Sequence, residues 1–174
     1  MTKIFILNKP RLCSCFKKNN KQNIYDFLPD ISKLKIPFLL DFRSEGLIIA
    51  GEDSDLMRNL RKSKLKKIYF VKAKSNRFEF DKFKKRESNI FFEGKRYSFT
   101  VEDFQNYGKV FRMRFILSQE PYGFINKLMI LNNAKPLIIK RIAIGPLIMG
   151  KLPPGGYRPL STAEIRKIED SINV

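Results

Sequence analysis

Apolar positions along this chain recur more often with a period of two than with a helical period, and the segments they mark predict a sheet. Lys109–Ser118 is the clearest: Phe111, Met113, Phe115 and Leu117 alternate with Val110, Arg112, Arg114 and Ile116. Lys3–Leu7, Leu47–Ala50, Lys66–Ala73, Ile90–Phe92, Arg96–Val101 and Pro136–Ile144 also read as strands. A Glu93-Gly94-Lys95 turn joins the fourth and fifth of these. The apolar run after Pro37 predicts a further strand ending at Asp41. Helical spacing is rarer. Glu52-Asp53-Ser54-Asp55 opens a helix over Leu56–Lys62, Phe124–Asn132 forms a second, and the Ser161-Thr162-Ala163-Glu164 capping box starts a third reaching about Ile172. Ile24–Leu28 predicts a short turn or helix, and Phe78–Lys85 is helix-like but ambiguous.

With no internal repeat and no low-complexity linker, residues 1–174 are expected to form one α+β domain, a mixed, mostly antiparallel sheet with flanking helices. Charge changes this picture. The chain carries 35 Lys+Arg against 17 Asp+Glu, a formal net charge of +18, interleaved with 16 Phe and 6 Tyr. Such an excess favours a polyanionic partner, RNA or DNA, although an AT-rich genome also enriches Lys, Ile, Asn and Phe. Histidine is absent, which excludes His-based triads, His general bases and His metal sites. Cys13 and Cys15, the only cysteines, are too close for an ordinary strand-to-strand disulfide and too few for a zinc site. They are expected to be reduced loop residues of an intracellular, cytoplasmic protein. The N-terminus suits a first strand better than a signal peptide, and no segment is long enough to span a bilayer, so no membrane partner is expected.

The residues richest in chemistry lie at 38–50, Phe-Leu-Leu-Asp-Phe-Arg-Ser-Glu-Gly-Leu-Ile-Ile-Ala. They set one carboxylate, Asp41, between an apolar run and a Ser-Glu-Gly turn. Desolvating a lone carboxylate is costly, so an Asp at the edge of a core has either a partner or a task. On these residues alone, Asp41 is as well read as a turn carboxylate stabilising the Ser44–Gly46 loop, and Tyr69 as a core residue of its strand.

Four groups of residues, in order, resemble the RNA pseudouridine synthases, specifically the branch that modifies single sites in bacterial ribosomal RNA. Asn8-Lys9-Pro10 resembles the family's opening. Leu40-Asp41-Phe42-Arg43-Ser44-Glu45-Gly46-Leu47 matches most of its Gly-Arg-Leu-Asp-x-x-Ser-Glu-Gly-Leu signature, and Lys67-Ile68-Tyr69 its Lys-x-Tyr. Arg141 to Gly145, then Leu152, Gly156, Arg158, Leu160 and Glu164, follow its closing pattern. The resemblance spans about residues 4–170 and implies the pseudouridine synthase fold without the small basic RNA-binding domain that often precedes it. It also implies a monomer acting on ribosomal RNA with no metal and no cofactor. Asp41 would be the catalytic carboxylate, and Tyr69 would stack on the extruded uracil. Arg43, Lys67 and Lys127 would bind the substrate.

The chain departs from the family pattern in two places. Phe38-Leu39 stands where the signature has Gly-Arg, and Asn126 falls where a helical arginine would pair with the catalytic carboxylate. Without that charge-assisted contact, worth about 1.5–3 kcal/mol, the orientation of Asp41 is expected to loosen unless Lys127, or else Lys140 or Arg141, reaches it. Two functions follow. One is a ribosomal RNA pseudouridine synthase; the other is a catalytically inactive relative that binds RNA during ribosome assembly. A DNA-binding module has less support, since no helix-turn-helix or finger is recognisable.

Overall fold

The alternation of Val110–Leu117 becomes a strand whose residues 111, 113, 115 and 117 are buried. The structure, a computed structural model, describes residues 3–17, 21–31, 33–52, 54–83 and 88–172. Among the described residues, nine strands form one sheet: β1 (Ile4–Lys9), β2 (Glu45–Gly51), β3 (Lys67–Lys74), β4 (Ser88–Phe92), β5 (Lys95–Tyr107), β6 (Val110–Leu117), β7 (Lys135–Ile144), β8 (Leu147–Ile148) and β9 (Tyr157–Pro159). Three helices accompany them: α1 (Asp55–Lys62), α2 (Phe124–Leu131) and α3 (Thr162–Ile172). The order across the sheet is β4-β5-β6-β3-β7-β2-β1-β9, with β8 paired to β7. Only the β2–β7 pairing is parallel among those described. The chain therefore has an α+β, mixed and mostly antiparallel architecture.

Strands β1 and β2 are buried on both faces, which is why they read as continuous apolar runs. On one face Ile4, Ile6, Leu47 and Ile49 pack with Met57 and Leu60 of α1 and Ile168 of α3. On the other, Leu7, Ile48, Tyr69, Val71 and Phe115 pack with Phe124, Leu128 and Met129 of α2. Local signals set the helix starts. Ser54 caps α1 by accepting from the Met57 amide at 3.3 Å. Ser161 and Glu164 form the capping box of α3, amide to carboxylate at 2.9 Å and amide to hydroxyl at 3.2 Å. Arg158 binds the same carboxylate twice, at 2.8 and 2.7 Å, and holds its pKa down at about 2.

Several expectations need correction. Residues 38–41 are not a strand, because the Phe38 and Leu39 carbonyls turn toward a buried arginine described below and the Leu40 carbonyl toward the Cys15 thiol, rather than toward a neighbouring strand. Of the ambiguous 78–85 segment, only Phe80–Lys82 is helical, as a single 3-10 turn, and residues 84–85 lie outside the described residues. Phe78 and Phe80 pack instead against Phe111, at ring distances of 4.4 and 5.2 Å. β5 runs well past Val101 through an irregularity between Glu102 and Gln105, where Asp103 takes φ +51°. β8 and β9 were not visible in the pattern. β9 is placed by the Pro153–Gly156 turn, which docks on Asn8: Gly155 N donates to Asn8 O at 2.8 Å, and Asn8 N to Gly156 O at 3.0 Å.

The β2–β7 contact depends on one glycine. Gly46 has φ +112°, and a Cβ there would lie 2.3 Å from the Arg141 carbonyl oxygen and 2.8 Å from its amide nitrogen. Both are backbone atoms, so no side-chain motion relieves the clash. Gly46→Ala is expected to cost about 3 kcal/mol in urea unfolding, combining left-handed strain with overpacking. An unchanged midpoint would show that the strands separate more freely than this packing implies.

Candidate active site

Asp41 sits in a tight turn between the 38–40 segment, in which Phe38 and Leu40 are buried, and β2. Its Oδ1 accepts from the amides of Arg43 and Ser44, both at 2.9 Å, and its Oδ2 accepts from Ser44 Oγ at 2.6 Å. This is the side-chain-to-backbone turn that Asp forms readily. Asp41 thus is a turn carboxylate, and it also faces a cleft. The cleft has a volume of about 460 Å³, in the range of ligand pockets, and is lined by Asp41, Ser44, Lys67, Tyr69, Lys95, Glu120 and Tyr122 among others.

The turn is held from below by cations that make no direct ion pair with it. Arg141, fully buried on β7, donates from Nε to Leu47 O at 2.7 Å and from Nη2 to Phe38 O at 2.8 Å. Its Nη1 reaches Leu39 O at 3.3 Å and the Tyr69 hydroxyl at 3.2 Å. Lys9, also fully buried, donates to Ser44 O at 2.6 Å and Pro10 O at 3.0 Å. Burial pulls the Lys9 pKa down, while nearby Cys15, Cys13 and Asp41 oppose that shift. Tyr69 is 4% exposed, and its hydroxyl donates to Glu120 Oε1 at 2.8 Å. Burial pushes the Tyr69 hydroxyl well above its ordinary pKa, and it raises Glu120 too, against the pull of Lys67 and Arg141.

The residues named from sequence fall into three groups. Asp41 and Tyr69 meet at the cleft. Lys67 also lines it, but its ammonium is committed, donating to Ser118 O at 2.6 Å and Leu65 O at 3.2 Å and lying 3.6 Å from Glu120 Oε2. Arg43 is exposed beside the turn and contributes its amide to Asp41. Lys127 does not reach Asp41. It points outward from α2 and pairs with Glu93 at 2.6 Å, with its ammonium 5.3 Å from the Phe92 ring. In place of a cation from α2, two amides and a hydroxyl bond to both Asp41 carboxylate oxygens.

Sequence reasoning offers no role for Glu120 or the buried ammonium of Lys9; it takes Arg141 as part of a closing pattern and as one cation in reach of Asp41, whereas its guanidinium bonds to carbonyls and the Tyr69 hydroxyl. The only signal available was the position of Lys9 and Arg141 inside matched motifs. Cys13 and Cys15 are buried core residues, and burial lifts the Cys13 thiol to about 11, which leaves it protonated near neutrality. Among the described residues no three His, Cys, Asp or Glu converge as metal ligands, and no helix is long and apolar enough to cross a membrane.

The two kinds of cation have different consequences. Arg141→Met takes the guanidinium from two buried carbonyl oxygens, Phe38 O and Leu47 O, and from the part-buried Leu39 O, and is expected to cost about 3 kcal/mol or more in chemical unfolding. Lys127→Ala removes a solvent-exposed pair and is expected to cost about 0.5 kcal/mol or less. Equal losses would mean that Arg141 does not hold the turn.

No family model matches the chain. It is 25% identical over 179 residues to an uncharacterized RNA pseudouridine synthase of Aquifex aeolicus (strain VF5), covering 97% of this chain and 70% of that protein. Among solved structures it superimposes on a pseudouridylate synthase with a TM-score of 0.78, at 23% identity, over 97% of this chain and 74% of the other. It also matches a chain of an H/ACA ribonucleoprotein bound to a substrate RNA containing 2'-deoxyuridine, with a TM-score of 0.60, 14% identity, and coverage of 86% and 50%. Over nearly its whole length the chain is similar in sequence to an RNA pseudouridine synthase, and it has the pseudouridine synthase fold.

Proposed function

We propose that the protein is an RNA pseudouridine synthase acting on ribosomal RNA, with Asp41 as its catalytic carboxylate. The observation that carries this reading is the placement of Asp41. Its carboxylate is oriented by the Arg43 and Ser44 amides and the Ser44 hydroxyl, at the wall of a cleft that also contains Tyr69. The net charge of +18 suits a polyphosphate partner, and the relatives named above act on or hold RNA.

The reaction is an isomerisation, so atoms balance without a co-reactant. The bond between uracil N1 and ribose C1' breaks, the base turns, and a bond forms between C5 and C1'. The C5 proton leaves and N1 gains one. Asp41 works at the sugar–base junction, as nucleophile or as base, on a uridine drawn out of its stack at a cost of a few kcal/mol. Tyr69, fixed through its hydroxyl by Glu120 and Arg141, offers a ring beside the cleft for the extruded base.

One observation favours the alternative, an inactive RNA-binding relative that serves ribosome assembly. Asn126 stands at the pairing position, and Lys127 is taken up by Glu93. The two readings separate in cells. Deleting the gene is expected to remove pseudouridine from one or a few ribosomal RNA positions; the wild-type gene restores it and Asp41→Asn does not. A pseudouridine map unchanged by deletion, or one that Asp41→Asn restores in full, would overturn the catalytic reading.

A further inference from the structure

Two half-exposed aromatic rings meet beside the cleft, one of them on its wall, and the core has no use for either. Tyr122, in the turn before α2, lines the cleft and is 50% exposed; Phe16, in the loop after β1, is 46% exposed. They come from segments about a hundred residues apart, yet their ring centroids lie 6.5 Å apart at an interplanar angle of 49°. Exposed large apolar side chains occur singly on most surfaces; two that meet beside a polar cleft are a patch.

Both are anchored from behind. Phe16 follows Cys15, a fully sequestered residue whose Sγ donates to Leu40 O at 3.1 Å, and the Phe16 amide donates to Ser14 Oγ at 3.0 Å. Tyr122 lies against the Asp41 turn: burial raises its hydroxyl pKa, the Asp41 carboxylate adds to that rise, and a hydrogen bond from the Phe42 backbone opposes it. Leu39, 41% exposed, adds an apolar edge on the cleft wall. Two cations belong to neighbouring segments. Arg43 is exposed in the Asp41 turn, and the Lys21 ammonium sits 5.6 Å from the Phe42 ring.

We propose that Phe16 and Tyr122 form a stacking platform for an unpaired RNA base next to the nucleotide that enters the Asp41 cleft, with Arg43 and Lys21 holding its phosphates. The inference rests on the RNA reading above and adds a second base to it. Its physical basis is that every base has a π-face, so rigidly mounted aromatics bind single strands whatever their sequence, while flanking cations track the backbone. A nucleotide drawn out of a stack leaves a neighbour unstacked, and the platform compensates that neighbour.

The test uses the full chain and a fluorescently labelled single-stranded uridine nonamer, with affinity read by anisotropy over a range of salt. Phe16→Ala and Tyr122→Ala are each expected to weaken binding about 5- to 100-fold with the salt slope unchanged, because stacking releases no counterions. Arg43→Ala is expected to lower both affinity and slope. Tyr122→Phe, which keeps the ring, is expected to bind like wild type, and Phe16→Leu, which keeps bulk but no π-face, to behave like Phe16→Ala even if the alanine variant melts early. Wild-type affinity in Phe16→Leu and Tyr122→Ala, with Arg43→Ala impaired, would overturn the platform and leave the RNA reading standing. Failure of the wild-type protein to bind either the nonamer or protein-free ribosomal RNA would overturn both.

Discussion

The buried guanidinium of Arg141 is the contact on which the site depends. It is fully shielded from solvent, and its hydrogen bonds run to Phe38 O, Leu39 O, Leu47 O and the Tyr69 hydroxyl. One side chain of β7 thus ties together the segment before Asp41, the strand after it, and the aromatic ring across the cleft. The planar, always charged fork of arginine suits a job that needs several donors in fixed directions. Carbonyl oxygens take most of the charge, so burial is tolerated without a carboxylate in direct contact. Gly46 completes the arrangement by letting β2 approach the Arg141 backbone where any side chain would collide.

The same logic extends beneath the cleft. Lys9 and Lys67 are buried as well, and each spends its donors on backbone carbonyls. Burial lowers both lysine pKa values, while Glu120 works against that shift on Lys67 and Cys15, Cys13 and Asp41 do so on Lys9. Three buried cations face two carboxylates, Asp41 and Glu120. Asp41 does not need an arginine from α2 for orientation, because the Ser44 hydroxyl and two amides supply it and Lys9 anchors the Ser44 carbonyl behind them.

Much of the fold was legible because it follows local chemistry. The two-residue period of β6, the Glu93-Gly94 turn and the Ser161–Glu164 capping box each name their own structure. The 38–41 segment misled because an apolar run after proline looks the same whether its carbonyls bond to a strand or to a distant guanidinium. β9 was hidden by its brevity and by the prolines and glycines around it. For the site, Asp41 and Ser44 could be found from a motif, but Lys127 could not be placed. In α2, residues 124, 125, 128 and 129 turn inward, which sends 127 to the surface. Its partner Glu93 comes from a turn 34 residues earlier, a distance no local pattern reports.

The most direct test of the central claim, a catalytic carboxylate held by its own turn rather than by a cation of α2, is tritium release. RNA carrying tritium at uridine C5 is mixed with excess purified protein, and label in water is followed in a single turnover. The account predicts release by wild type and by Lys127→Ala at similar rates, and none by Asp41→Asn. Release by Asp41→Asn at the wild-type rate, or its loss in Lys127→Ala, would contradict it.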